Sequence, residues 1–183
     1  MPSNNPIENF FMKFCKALLG VQKQTTNIGV FLELGAVPIM FFGVKNCLKN
    51  WHRIHRLGEA NAVLLKVHQM ACEHNLPWPI MTKDTLTSIG IAPEDDVRNI
   101  HKVAFETLKE NFHHDSFQEI KSDRSKLRTY GKLKTEKGME GYLDSIKNIK
   151  DRTALTKIRL SNHNLMIEKG RHQGLEEWQT LCP

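Results

Sequence analysis

Apolar residues recur along most of this chain at intervals of three and four, and the repeat is clearest at the start. Ile7, Phe10, Phe11, Phe14, Cys15, Leu18 and Leu19 stand at i, i+3, i+4, i+7, i+8, i+11 and i+12, the spacing that gathers side chains on one stripe of an α-helix. Asn4 or Asn5 can cap that helix, Pro6 suits its first turn and Gly20 ends it, while Lys13 and Lys16 fall on the opposite side. Thr25, Thr26 and Asn27 are candidate caps for a short second helix through Val30, Phe31 and Leu34, closed by Gly35 and bounded by Pro38. Val44, Cys47, Leu48, Trp51, Ile54 and His55 trace a third stripe, with Lys45, Lys49, Arg53 and Arg56 outside it. Three short amphipathic helices of this kind can share one core.

Residues 59–74 predict another helix, with Val63, Leu64, Val67, Met70 and Ala71 on one side. The Leu-Pro-Trp-Pro run at 76–79 predicts a break, because neither proline donates a backbone hydrogen bond and each restricts its predecessor. Thr82 or Asp84 then caps a single turn before Gly90. Pro93 with Glu94, Asp95 and Asp96 predicts the start of a longer helix, whose first-turn acids suit the macrodipole. Its stripe is Val97, Ile100, Ala104, Leu108 and Phe112, joined by Phe105. The stretch from Lys121 to Lys137 holds seven basic residues in seventeen, and reads either as a solvated linker or as a phosphate-contacting segment. Met139, Tyr142, Leu143 and Ile146 form a compact stripe after Gly138, and Asp151 or Thr153 starts a last helix through Leu155, Ile158 and Leu160. Helix follows helix, so the expected fold class is all-α, an irregular multi-helix array.

Charge divides the 183 residues unevenly. Residues 1–57 carry seven basic and two acidic side chains, 58–120 carry five and ten, and 121–172 carry fourteen and six. Two basic ends around an acidic middle suggest a polyanion partner for the ends. Composition, at 40% apolar and 25% charged, is enough to bury a core. Cys15, Cys47, Cys72 and Cys182 form no Cys-x-x-Cys pair and suggest no disulfide framework, which points to a reducing compartment, intracellular, in cytoplasm or nucleus. No apolar run is long enough to span a bilayer, and the opening Met-Pro-Ser-Asn-Asn-Pro is not a secretory signal.

Two segments resemble a known family. Phe14-Cys-Lys-Ala-Leu-Leu-Gly-Val21, Thr26-Asn27 and Glu33-Leu-Gly35, followed by a helix with Trp51, resemble the region just downstream of the polymerase palm in non-LTR retrotransposon reverse transcriptases. Ser125-Lys-Leu-Arg-Thr-Tyr130, Lys134-Thr135, Gly138, Tyr142-Leu143, Thr156-Lys157-Ile-Arg159-Leu-Ser-Asn-His163 and Ile167-Glu-Lys-Gly-Arg-His172 keep that family's order and approximate spacing further along. The resemblance implies a thumb-like helical unit over 1–57 and a basic helical tail over 121–183, and the charge pattern adds an acidic helical extension over 58–120 between them. In relatives the tail leads into a Cys-Pro-x-Cys zinc knuckle that grips nucleic acid. Here Cys182-Pro183 supplies only its start, and one thiolate is no zinc site.

The departures bear on chemistry. A reverse transcriptase holds two magnesium ions on carboxylates, one pair usually on an aromatic-x-Asp-Asp turn between strands. The one Asp-Asp here, Asp95-Asp96, sits at a predicted helix start, so no catalytic residue and no cofactor are expected and the chain reads as a non-enzyme. His113-His114-Asp115 lacks metal-ligand spacing, since adjacent helical side chains point about 100° apart. No glycine-rich phosphate loop or nucleophile elbow is present. The expectation is a nucleic-acid-binding fragment that holds RNA or DNA by its phosphates, through Arg124, Lys126, Arg128, Lys132, Lys134, Lys157, Arg159 and Arg171. Lys13 and Lys16 form a second patch, and Asn162 and His163 position backbone or sugar. The alternatives are a helical protein-interaction module and a retroelement relic without function. Self-association through exposed apolar surface is a further expectation; a membrane or a small-molecule substrate is not.

Overall fold

A computed structural model gives the fold, and it describes residues 5–57, 61–92, 99–122 and 127–162. Among these the chain is all-α. Its helices are α1 (Pro6–Leu19), α2 (Asn27–Leu34), α3 (Met40–Leu57), α4 (Ala62–Glu73), α5 (Pro77–Ser88), α6 (Ile100–Lys121), α7 (Arg128–Leu133), α8 (Tyr142–Ser145) and α9 (Ile149–Arg159). One isolated antiparallel bridge, Leu34 with Met139, is the sole β-type pairing among the described residues. No helix among them is long and apolar enough to cross a membrane.

The helices form two compact units, and the boundaries expected at 57 and 120 are not where the chain divides. One unit joins the segments up to Ala36 and from His113 on; the other is Val37–Phe112. The reason lies in α2. Five consecutive residues, Gly29 to Glu33, are buried, and a helix buried on every side needs neighbours on every side. Helix α1 covers one side through Phe11 against Phe31, with ring centroids 6.3 Å apart. Leu127 and Leu160 cover another, and they come so near Gly29 that a Cβ there would lie 2.9 Å from each. The C-terminal segment therefore completes the unit that α1 and α2 begin. In the other unit α3 buries Leu48 and Trp51 against Leu86 of α5 and Ile100 and Ala104 of α6.

Local chemistry fixes the helix ends. Asn5 accepts a hydrogen bond from the Ile7 amide at 2.9 Å and Gly20 closes α1 in the left-handed conformation, as the sequence predicts. The proline-rich run at 76–79 does separate two helices, α4 ending at Glu73, but it also opens the next one. Leu76 is extended, Pro77 opens α5, and Pro79 still lies in the first turn, where a missing amide hydrogen costs nothing. Thr82 is buried and donates to the Trp78 carbonyl at 2.6 Å instead of capping a later turn. Asn148, accepting from the Lys150 amide at 3.0 Å, starts α9 ahead of Asp151. The predicted helix start at Pro93 lies outside the described residues, as does everything from 163 on, including Cys182-Pro183.

Two predicted stripes split. Helix α1 buries Met12, Cys15 and Leu19 but leaves Ile7, Phe10, Phe14 and Leu18 exposed. Helix α4 buries His68 and Ala71 and exposes Val63, Val67 and Met70. The stripes are wider than one neighbour can cover, and in α4 an imidazole takes the inward position because it packs against indoles.

Candidate nucleic-acid interface

Helix α3 contains no acidic residue, and the sequence holds none between Glu33 and Glu59. Lys45, Lys49, His52, Arg53 and Arg56 stand at i, i+4, i+7, i+8 and i+11, which collects them on an arc of about 100° along about 16 Å of helix. Leu48 and Trp51 point into the core and turn that arc toward solvent. Lys49, Arg53 and Arg56 are exposed, and Lys45 and His52 are half-buried. None of these lysines and arginines forms an ion pair among the described residues. Lys45 lies 4.5 Å from the centre of the Phe105 ring, which fixes its stem against α6. His101 and Lys102 of α6 extend the cluster. Burial, and then the charges of Lys102, Lys49, His52 and Lys45, hold His101 below the ordinary histidine range. Such a run of like charge without counter-charge creates a field that attracts polyanions.

Arg53 also borders a hollow of about 480 Å³ on the next flank of α3, lined by Cys47, Asn50, Arg53, Ile54, Leu64 and Trp78. Trp78 is held from behind by ring contacts to Trp51 at 5.9 Å and His68 at 5.3 Å. His68 is buried and its Nδ1 has no hydrogen-bond partner; burial, then the charges of His55 and Lys83, lower its pKa. An apolar floor with an amide and a guanidinium at its edge suits a flat, polar-edged group the size of a nucleobase.

In the other unit two cations, Lys134 and Arg159, are paired internally. Glu33 is fully buried and accepts hydrogen bonds from Arg159 Nε at 2.7 Å and from the Tyr142 hydroxyl at 2.5 Å. Arg159 reaches Glu140 with its other branch at 2.6 Å. Lys134, 1% exposed, donates to Glu140 Oε1 and to the Gly138 carbonyl, each at 2.6 Å. Burial opposes the charge on Arg159, but the hydrogen bond to Glu33 and the charges of Glu33 and Glu140 outweigh it and raise its pKa. Burial and the neighbouring Glu33 push the Tyr130 phenol far above its ordinary value; for Tyr142 burial and the hydrogen bond to Glu33 do the same. Two acids and two bases balance here, and the loop 134–140 is strapped over the end of α2 by the Glu140 amide donating to the Glu33 carbonyl.

The expected phosphate contacts are therefore revised. Lys134 is paired with Glu140, and Arg159 with Glu140 and the buried Glu33, so both leave the set, because a phosphate could reach them only by breaking those pairs. Asn162 is turned inward and donates to Thr25 Oγ1. Lys16 donates to the Lys23 carbonyl at 2.7 Å and is half-buried, which lowers its pKa. Lys13 and Lys132 are exposed and Lys157 is half-exposed. Arg128 lies in the first turn of α7, its side chain outside the described residues, and Arg124, Lys126, His163 and Arg171 lie outside them altogether.

Tyr130, the one aromatic of the basic stretch, is fully buried and offers no stacking surface. His113 is buried and His114 exposed, and no group of three or more potential metal ligands occurs among the described residues. In the sequence the cations of α3 stand outside its apolar stripe, and the signal that marks them as contacts is the long acid-free interval around them. Comparison with family profiles, curated proteins and solved structures finds no match to this chain.

Proposed function

We propose that this chain binds nucleic acid, with a phosphate strand along the α3 ridge and an unpaired base in the adjoining hollow. The observation that carries the reading is the row Lys45, Lys49, Arg53 and Arg56, four basic side chains on one face with no ion-pair partner among the described residues. The resemblance of its two segments to the post-palm region of non-LTR reverse transcriptases supports the same class. On this reading the chain is a binding part without its own polymerase chemistry, intracellular in the cytoplasm or nucleus. Phosphate contacts position a strand without reading its sequence. The hollow adds a preference for single strands over duplex, whose bases are stacked away.

The test is fluorescence anisotropy with labelled single-stranded and duplex oligonucleotides across a salt series. Binding should weaken as salt rises, with a log-log slope of about −0.7 per neutralised phosphate on a single strand. Changing Lys45, Lys49, Arg53 and Arg56 to glutamine should reduce that slope by the equivalent of about three to four phosphates. Trp78→Ala should weaken single-strand binding by roughly 10-fold or more and leave the slope unchanged. Salt-independent binding, or full affinity in the ridge variant, sinks the proposal. A second reading, a protein-interaction module, is favoured by one feature: Val63, Val67 and Met70 are 76%, 58% and 47% exposed along one side of α4. A partner docked there would bind with little salt dependence.

A further inference from the structure

Helix α1 is apolar on two faces, and only one of them is covered. Met12, Cys15 and Leu19 are buried, while Ile7, Phe10, Phe14 and Leu18 are 60%, 73%, 57% and 56% exposed. At 100° per residue those four share an arc of about 80°, a continuous row about 16 Å long. With large apolar side chains at roughly 200 Å² each, the fractions leave on the order of 500 Å² of apolar surface in one strip. That is at the upper end of what a soluble monomer exposes in one patch.

The order of the residues specifies what can cover it. Phe10 and Phe14 lie two residues either side of position 12, and Ile7 and Leu18 lie five before and six beyond it. The strip is therefore nearly symmetric about its own middle, so that across a two-fold axis its large apolar residues fall opposite one another, as a self-complementary isologous interface needs. We infer that α1 is a homodimerisation helix: two copies pack antiparallel about an axis level with Met12, placing Phe10 on the partner's Phe14 and Ile7 on the partner's Leu18. Burying both strips removes about 1,000 Å², the area at which a specific interface becomes stable. The surface lies on the unit formed by the chain's two ends and is independent of the α3 ridge.

Sedimentation equilibrium from low micromolar to sub-millimolar protein tests the pairing. The wild-type chain should pass from monomer to dimer, and Phe10→Glu with Phe14→Glu should weaken association by at least about 100-fold. Both positions are exposed, so far-UV circular dichroism should be unchanged, and so should the melting temperature at dilutions where the wild-type chain is monomeric. Orientation is read by oxidising a mixture of Ile7→Cys and Leu18→Cys chains, each with Cys47, Cys72 and Cys182 replaced by serine. Antiparallel packing gives the mixed 7-to-18 disulfide, and predominant 7-to-7 and 18-to-18 products overturn it. A wild-type chain that stays monomeric throughout overturns the dimer, as does a dimer indifferent to the two glutamates. So does a monomer whose strip instead binds phosphatidylcholine vesicles in a Phe10-dependent manner, since the occupant is then lipid.

Discussion

Replacing Arg159 by methionine asks how firmly the buried cluster holds its cation, and hence whether that arginine could ever serve a phosphate. Glu33 has no exposed surface and takes two hydrogen bonds from Arg159, at 2.7 and 3.4 Å, besides the one from Tyr142. Methionine fills most of the volume but removes the charge, leaving Glu33 and Glu140 against Lys134 alone. Breaking a buried pair on one side costs about 3–5 kcal/mol, because the remaining charge stays desolvated. The lower half of that range is expected, since the Tyr142 hydroxyl and Lys134 still face the acids. Adding Glu33→Gln restores neutrality, and the double variant should recover about 2 kcal/mol as a coupling energy.

The assay is urea unfolding followed by far-UV circular dichroism, with tryptophan fluorescence as a second probe. Trp51 and Trp78 lie in the 37–112 unit and report it alone once Trp178 is changed to phenylalanine. The Arg159 variant should shift the dichroism transition and leave the fluorescence transition in place. Molar salt should scarcely alter the difference, because buried pairs are poorly screened. A loss below about 1 kcal/mol, the range of a surface ion pair, would refute the reasoning and return Arg159 to the available cations.

Further expectations concern other sites. Gly35→Ala should cost about 2–4 kcal/mol in the same assay, because its φ of +60° disfavours a side chain and a Cβ would sit 2.3 Å from the Met139 amide nitrogen. Oligonucleotide affinity at constant ionic strength should rise as pH falls from 8 to 6: burial, and then its cationic neighbours, depress His101, and a bound phosphate offsets those neighbours and lets it take up a proton. His101→Gln should flatten that profile. For stability the sign is opposite: with the folded pKa of His68 lowered, the unfolded state binds more protons below about pH 6.5, so thermal melts of the 37–112 unit should move down as pH falls through that range, and His68→Phe should weaken the trend.

Local signals were legible and distant ones were not. Asn5, Pro6, Gly20 and Gly35 mark helix ends through rules that act within a few residues, and the structure follows them. The direction in which a stripe faces depends on what else is present, and α1 shows the limit: its sequence admits two apolar faces and only packing on α2 selects one. The basic tail misleads for a related reason. Lys134 and Arg159 read as solvated cations because their acids, Glu140 and Glu33, are 6 and 126 residues away. The lone acid of α2 was the clue, since a buried carboxylate in an apolar helix requires a cation from elsewhere. Glu33, Tyr130, Lys134, Gly138, Tyr142, Thr156 and Arg159, quoted above for their order along the chain, meet in or beside this one cluster, with Tyr142 also hydrogen-bonded to Thr156 at 2.6 Å. In this chain their spacing is first a condition of folding.

That division of labour makes the two units experimentally separable. The core around Leu48, Trp51, Leu86, Ile100 and Ala104, with Val44, Cys72, Trp78, Ile89 and Ile91 packed on it, is drawn wholly from residues 37–112. A fragment of 37–112 should therefore fold alone, with a cooperative though modest melt, because a domain so small buries a limited share of its surface. A fragment of 1–57 keeps the sequences of α1, α2 and α3 yet strips Glu33 of Arg159 and Tyr142, and α3 of its core partners Leu86, Ile100 and Ala104. It should be largely unfolded, since short helices in water owe most of their stability to tertiary packing. Circular dichroism and one-dimensional proton spectra of the two fragments distinguish these outcomes. If 37–112 also binds oligonucleotides with the salt slope of the full chain, the phosphate contacts belong to α3 and the basic tail serves its own unit. A folded 1–57 and an unfolded 37–112 would mean that the chain divides where its charge does, and the account of α2 as the element that recruits the C-terminal segment would fail with it.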